Sequence, residues 1–77
     1  MLLLYHTAGC HLCEQAEALA APLTVERGWV LRRIDIADDE ALLERYATRI
    51  PVLRDPRGER ELGWPFDAQM VLDLLAG

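Results

Sequence analysis

The two cysteines of this chain, Cys10 and Cys13, stand between an apolar run, Leu2-Leu3-Leu4-Tyr5, and an Ala- and Leu-rich stretch, Glu14 to Ala21. The run reads as a short buried strand and the stretch as a helix, so Cys10-His11-Leu12-Cys13 falls where a strand turns into a helix. Thr7-Ala8-Gly9 is the loop that delivers Cys10 to the helix N-terminus. There, unpaired backbone N–H groups and the positive end of the helix dipole favour a thiolate on Cys10. Cys13, one turn further in, is expected to be more buried.

A chain of 77 residues is one small domain, which buries only about 60% of the surface its unfolded form exposes. No segment approaches the roughly 18 apolar residues needed to cross a membrane. The net charge is −5 and all eight basic residues are arginines, dispersed along the chain. Phosphate-backbone binding needs clustered positive charge, so nucleic acid is not an expected partner. No basic region precedes the short apolar run at Met1 to Tyr5, and a cytoplasmic location is expected. In that compartment a lone cysteine pair is catalytic, redox-active or metal-binding rather than a structural staple. A bridge closing so short a loop also removes little disorder from the unfolded chain.

The remaining elements follow closely. Pro22 predicts a kink or an end to the first helix, with a short second turn before Gly28. Val30 to Ile36 reads as a second strand with Val30, Ile34 and Ile36 on one face and Arg32 as an exception. Asp38 or Asp39 caps a second helix carrying Leu42, Leu43 and Tyr46 on one side. Ile50 to Arg54 is a third strand opened by Pro51. Asp55-Pro56-Arg57-Gly58 has the residue order of a type I turn, from which Glu59 to Leu62 returns as a paired strand. Asp67 caps a final helix, with Phe66 packing on Val71 across the cap. The expected class is α/β, in the order β-α-β-α-β-β-α. The first two strands are parallel, and the hairpin completes a four-stranded mixed sheet flanked by helices.

In this order and these residues the whole chain resembles the thioredoxin-fold superfamily, most closely its small glutaredoxin-like members. The anchors are Tyr5 ending the first strand, Cys10-His11-Leu12-Cys13, Ile50-Pro51-Val52, and Gly63 with Asp67 before the last helix. The resemblance implies a cis Ile50-Pro51 bond lying against the cysteines, where the backbone of Ile50 can pair with an extended substrate. It implies a substrate surface formed by His11, Leu12, Arg49, Ile50, Pro51, Gly63, Trp64 and Asp67. The implied activity is thiol–disulfide exchange: Cys10 attacks a disulfide, and Cys13 resolves the mixed disulfide. Partners are then protein disulfides or low-molecular-weight thiols, with glutathione as a reductant or co-substrate, no bound cofactor, and a cellular reductase to restore the dithiol. A monomer is expected.

The chain departs from glutathione-using relatives in three places. Thr7 stands where they carry a basic residue, His11 where they carry proline, and Trp64 in place of the second of two glycines. A bulky residue there opposes the close backbone approach that the γ-glutamyl carboxylate needs. Asp67 matches a residue near that ligand's amine, and Arg49 is either a replacement cation for its carboxylate or a solvated surface residue. His11 reads as an exposed tuner of Cys10, opposed by Glu14 and Glu17. His6 reads as solvent-facing or loop-bonded, and Trp29 as core or boundary packing. Two other classes stay open. One is a module binding a metal or iron–sulfur cluster through the two thiolates, for which a closed zinc site wants two further ligands. The other is a thioredoxin-fold interaction domain without catalysis, which apolar Leu12 would suit.

Overall fold

The structure is a computed structural model that describes residues 1–77. Its elements are β1 (Leu2–His6), α1 (His11–Glu26), β2 (Leu31–Asp35), α2 (Glu40–Tyr46), β3 (Val52–Asp55), β4 (Arg60–Gly63) and α3 (Ala68–Ala76), with one 3₁₀ turn, Ile36–Asp38, leading into α2. The order matches the expected β-α-β-α-β-β-α. The strands lie as β2-β1-β3-β4. β1 and β2 are parallel, while β1 with β3 and β3 with β4 are antiparallel.

Strand alternation divides the core into two layers. Leu2, Leu4 and Leu53 face α1 and α3, where they join Ala16, Ala20, Val71, Leu74, Leu75 and Phe66 in one buried cluster. Tyr5 and Val52 face the opposite side and bury against Ile36 and Tyr46. Successive strand residues point to opposite faces, so each strand serves both layers. The small side chains of Ala16 and Ala20 let α1 lie close to the sheet. Phe66 and Val71 share their cluster across the Asp67 cap, as a hydrophobic staple requires.

Helix α1 neither ends nor restarts at Pro22. It runs through to Glu26, with Pro22 exposed. Ala18, whose carbonyl loses its helical donor to the proline, is exposed as well, so water can take the lost bond. The Thr24 hydroxyl donates to the Ala21 carbonyl at 2.7 Å. The true stop lies at Gly28, with φ +76°. Its N–H donates to Val25 and that of Trp29 to Thr24, the paired bonds of a Schellman cap.

The second strand is shorter than expected. Val30 is 67% exposed, and Ile36 leaves the sheet for the 3₁₀ turn, where Asp35 accepts from the Ala37 N–H at 2.9 Å. β2 is a sheet edge, so only partial burial is demanded of it, and Arg33 rather than an aliphatic residue shares the face of its register partner Leu4. In α2, capped by Asp39 through the Ala41 and Leu42 N–H groups, Leu42 and Tyr46 pack inward. Leu43 does not, being 43% exposed. β3 begins after Pro51, and β4 begins at Arg60 because Glu59 stays in the turn at φ +54°. A left-handed residue there matches the twist of the hairpin strands.

Candidate active site

Cys10 and Cys13 are joined as a disulfide, with their Cα atoms 5.2 Å apart. Cys10 is the N-cap of α1, with extended backbone, and its Sγ accepts the Cys13 N–H at 3.1 Å. The positive φ of Gly9, +76°, turns the chain from β1 onto that cap, a conformation glycine adopts without a Cβ penalty. The two sulfurs differ in access. Cys10 is partly exposed, whereas Cys13 is 4% exposed. An exposed sulfur with a backbone donor beside a buried one fits the roles of attacking and resolving thiol.

The Ile50–Pro51 peptide is cis, as the resemblance implied, and Trp64–Pro65 is a second cis bond that nothing in the sequence indicated. Val52 pairs with Tyr5 near the end of β1 and with Gly63 at the end of β4. Ile50, Pro51, Gly63, Trp64 and the Asp67 cap of α3 therefore gather at the sheet end where Cys10, His11 and Leu12 begin α1. The Trp64 N–H donates to the Pro51 carbonyl at 3.2 Å, and its indole meets Phe66 edge to face, with ring centroids 4.9 Å apart. The Ile50 N–H donates to the Tyr46 carbonyl at 3.1 Å, so the carbonyl is the Ile50 backbone group left for an extended ligand. Leu12 is 46% exposed. Gly63 leaves open space where a Cβ would stand. Asp67 accepts the Met70 N–H at 2.9 Å.

Three basic side chains near this end meet carboxylates. His11 meets Glu14 at 3.2 Å in solvent. Arg33 meets Glu17 at 3.5 Å. Arg49 meets Glu61 at 3.2 Å, and its guanidinium lies 5.1 Å from the Tyr46 ring centre. Glu61 also takes Arg54 at 3.0 Å and the Tyr46 hydroxyl, and Tyr46 stacks on Tyr5 with centroids 4.5 Å apart. Burial pushes the Glu61 carboxyl up, but hydrogen bonds from Tyr46, Arg54 and Arg49 outweigh it and hold the group below its ordinary range. The Tyr46 phenol is pushed up, by burial first and by Glu61 second. This network braces the segment that leads into Pro51.

Beside Cys13 lies a small open pocket lined by Leu4, His6, Thr7, Ala8, Glu14, Glu17 and Arg33. Sequence reading missed it, although the alternation Leu2, Leu4, His6 was a signal that His6 shares the face covered by α1. Asp35, across from His6 in the parallel register, has its carboxyl lowered chiefly by the Ala37 N–H; desolvation opposes this, and Thr7 and His6 assist it. No three His, Cys, Asp or Glu side chains are grouped as a metal ligand set, so a closed four-ligand site on the thiolates would need donors from outside the chain. No helix is long and apolar enough to cross a membrane.

These features define a thioredoxin-fold dithiol domain, and the comparison with known proteins agrees. The family model of the glutaredoxin-like domain (DUF836) matches residues 1–76. The chain belongs to that family. It is similar to the X. campestris protein XcR50, with 44% identity, TM-score 0.82 and coverage of 100% of this chain and 99% of that one in the X-ray structure. It is also similar to Ne2328 from Nitrosomonas europaea, with 31% identity, TM-score 0.78 and coverage of 95% and 87%. No curated protein matches.

Proposed function

We propose that the protein is a thiol–disulfide oxidoreductase that works through the Cys10/Cys13 couple. The observation that carries this reading is the asymmetric pair itself: a partly exposed sulfur at a helix N-cap, holding a backbone N–H at 3.1 Å and bonded to a buried partner. In the reduced protein the Cys10 thiolate attacks a substrate disulfide and forms a mixed disulfide, releasing one substrate thiolate. Cys13 then attacks Cys10 Sγ, forms the Cys10–Cys13 bond and releases the second substrate thiolate. An external dithiol or thiol returns the two electrons.

The substrates proposed are protein disulfides and low-molecular-weight disulfides, with glutathione as one reductant and a reductase-coupled protein dithiol as another. Leu12, the Ile50 carbonyl and the open space at Gly63 supply an apolar, hydrogen-bonding surface for an extended segment. Glutathione meets a less prepared site, because the Trp64 N–H is committed to Pro51 and Arg49 to Glu61. The test is turnover of a small neutral disulfide, coupled in parallel to glutathione with its reductase and to thioredoxin with its reductase. Wild type should turn over with at least one system and Cys10→Ser with neither. An unreactive Cys10 would overturn the proposal.

A further inference from the structure

We propose that His6 is the proton acceptor for Cys13 in the resolving step. This inference rests on the dithiol reading above and adds a residue to it. Cys13 is 4% exposed, so its thiol cannot shed a proton freely to bulk solvent, yet it must become a thiolate to attack. A pocket lined by Leu4, His6, Thr7, Ala8, Glu14, Glu17 and Arg33 opens beside it. A base in that pocket can receive the proton, directly or through a water within it.

Three of its groups can accept a proton, and the geometry separates them. Glu14 lies against His11 at 3.2 Å, both side chains largely in solvent. The Glu17 carboxylate holds Arg33 at 3.5 Å. The His6 ring makes no hydrogen bond, though its charge acts on the Asp35 carboxylate, and its strand position sets it on the Leu4 face, toward α1. An imidazole is a stronger base than a carboxylate and so takes the proton of a thiol more readily. Proton transfer is most effective when the acceptor's affinity is close to the working pH. The charged groups around His6 are Asp35 across the parallel register, Arg33 also on β2, and Glu14 and Glu17 on α1.

The step balances. The Cys13 S–H proton passes to the His6 ring, the Cys13 thiolate bonds to Cys10 Sγ, and the Cys10–substrate sulfur bond breaks. The departing thiolate carries away the electron pair of that bond and takes a proton from His6 or solvent.

Reduced protein mixed with dithiobis-nitrobenzoate reads both steps in one trace. The first thionitrobenzoate is released as Cys10 forms the mixed disulfide, and the second as Cys13 resolves it. In His6→Asn and His6→Gln the second release should slow about 100-fold near neutral pH, while the first changes far less. The wild-type second phase should level off once the imidazole is deprotonated, and in both variants it should instead climb with pH toward the thiol's own range. Glu17→Gln should keep the bend. A second phase with wild-type rate and profile in both His6 variants, equal slowing of both phases, or loss of the bend in Glu17→Gln alone would each overturn the assignment. Absence of any second release in wild type would overturn the dithiol reading along with it.

Discussion

The Cys13 backbone N–H points at Cys10 Sγ from 3.1 Å, so the first turn of α1 places a donor beside that sulfur. A donor to the charged form and the helix dipole both lower a thiol's proton affinity. Glu14, in the same turn, opposes them. Alkylation of the reduced protein followed against pH should therefore show Cys10 reacting first, with a midpoint below the ~8.5 of free cysteine. Glu14→Gln should move that midpoint lower still. A midpoint at or above the free value would remove the helix N-terminus from the mechanism.

Arg60 joins the hairpin to the last helix. It donates to the Leu74 carbonyl near the C-terminus of α3 and reaches the buried Asp55 carboxylate at 3.4 Å. Replacement with methionine keeps the stem but leaves Asp55 and the helix end without that partner. A loss of about 1–3 kcal/mol is expected in urea unfolding. Amide exchange should accelerate first in the last turn of α3. Uniform acceleration across the sheet would instead mean that Arg60 acts on the core as a whole.

Acid sensitivity should arise at Asp55 and Glu61. Burial raises both carboxyls, but the Arg57 N–H and the Arg57 and Arg60 side chains lower Asp55, as Tyr46, Arg54 and Arg49 lower Glu61, and the net shift is downward in each. A folded value below the unfolded one stabilises the protein fully above the unfolded value, near ~4, and the stabilisation drains away as pH falls through the folded value. The urea midpoint should be flat from neutrality to about pH 5 and then fall. Asp55→Asn and Glu61→Gln should be less stable at neutrality and fall less steeply, converging on wild type in acid. Parallel curves would place the acid transition elsewhere.

The periodicity of Leu2 to Tyr5, the Asp39 and Asp67 caps and the Asp55 turn were enough to set the element order, because each is a local preference that the tertiary structure also rewards. The Val30 and Leu43 assignments failed for a shared reason. Both are apolar residues on short elements, β2 at a sheet edge and α2 of barely two turns, and whether such a side chain is buried depends on neighbours the local pattern does not name. Pro22 does not end α1, because its cost depends on which side of the helix faces water. The Cys10/Cys13 couple was legible from spacing. The Glu61 hub and the pocket at His6 were not, since each joins residues distant in sequence across strand register.

Gly63 and Gly28 are separable by substitution. Gly28 sits at φ +76°, where a side chain is strained even in open space, whereas a Cβ at Gly63 would meet nothing and the backbone there is not left-handed. Gly28→Ala should cost about 1 kcal/mol without altering turnover per folded molecule. Gly63→Val should leave the unfolding midpoint nearly unchanged while raising KM for an extended disulfide peptide. If KM stays at the wild-type value, substrate does not approach the end of β4.

The pairing of Arg33 with Glu17, Arg49 with Glu61 and His11 with Glu14 commits three basic side chains at the cysteine end to carboxylates, Asp67 adds a further negative charge there, and the whole chain carries −5. Substrate charge should then decide relative rates more than substrate size. Cystamine, hydroxyethyl disulfide and glutathione disulfide carry positive, no and negative net charge around the same bond. At low salt the second-order rate for oxidising the reduced protein should fall in that order. Added salt should compress the range, since screening shortens the reach of surface charge to about 8 Å at physiological ionic strength. Glu14→Gln should compress it further by relieving one of the carboxylates nearest the motif. A glutathione disulfide rate above that of cystamine, with the gap closing in Arg49→Met, would show instead that Arg49 releases Glu61 to bind the ligand's carboxylate, and would restore glutathione as the substrate for which this site is built.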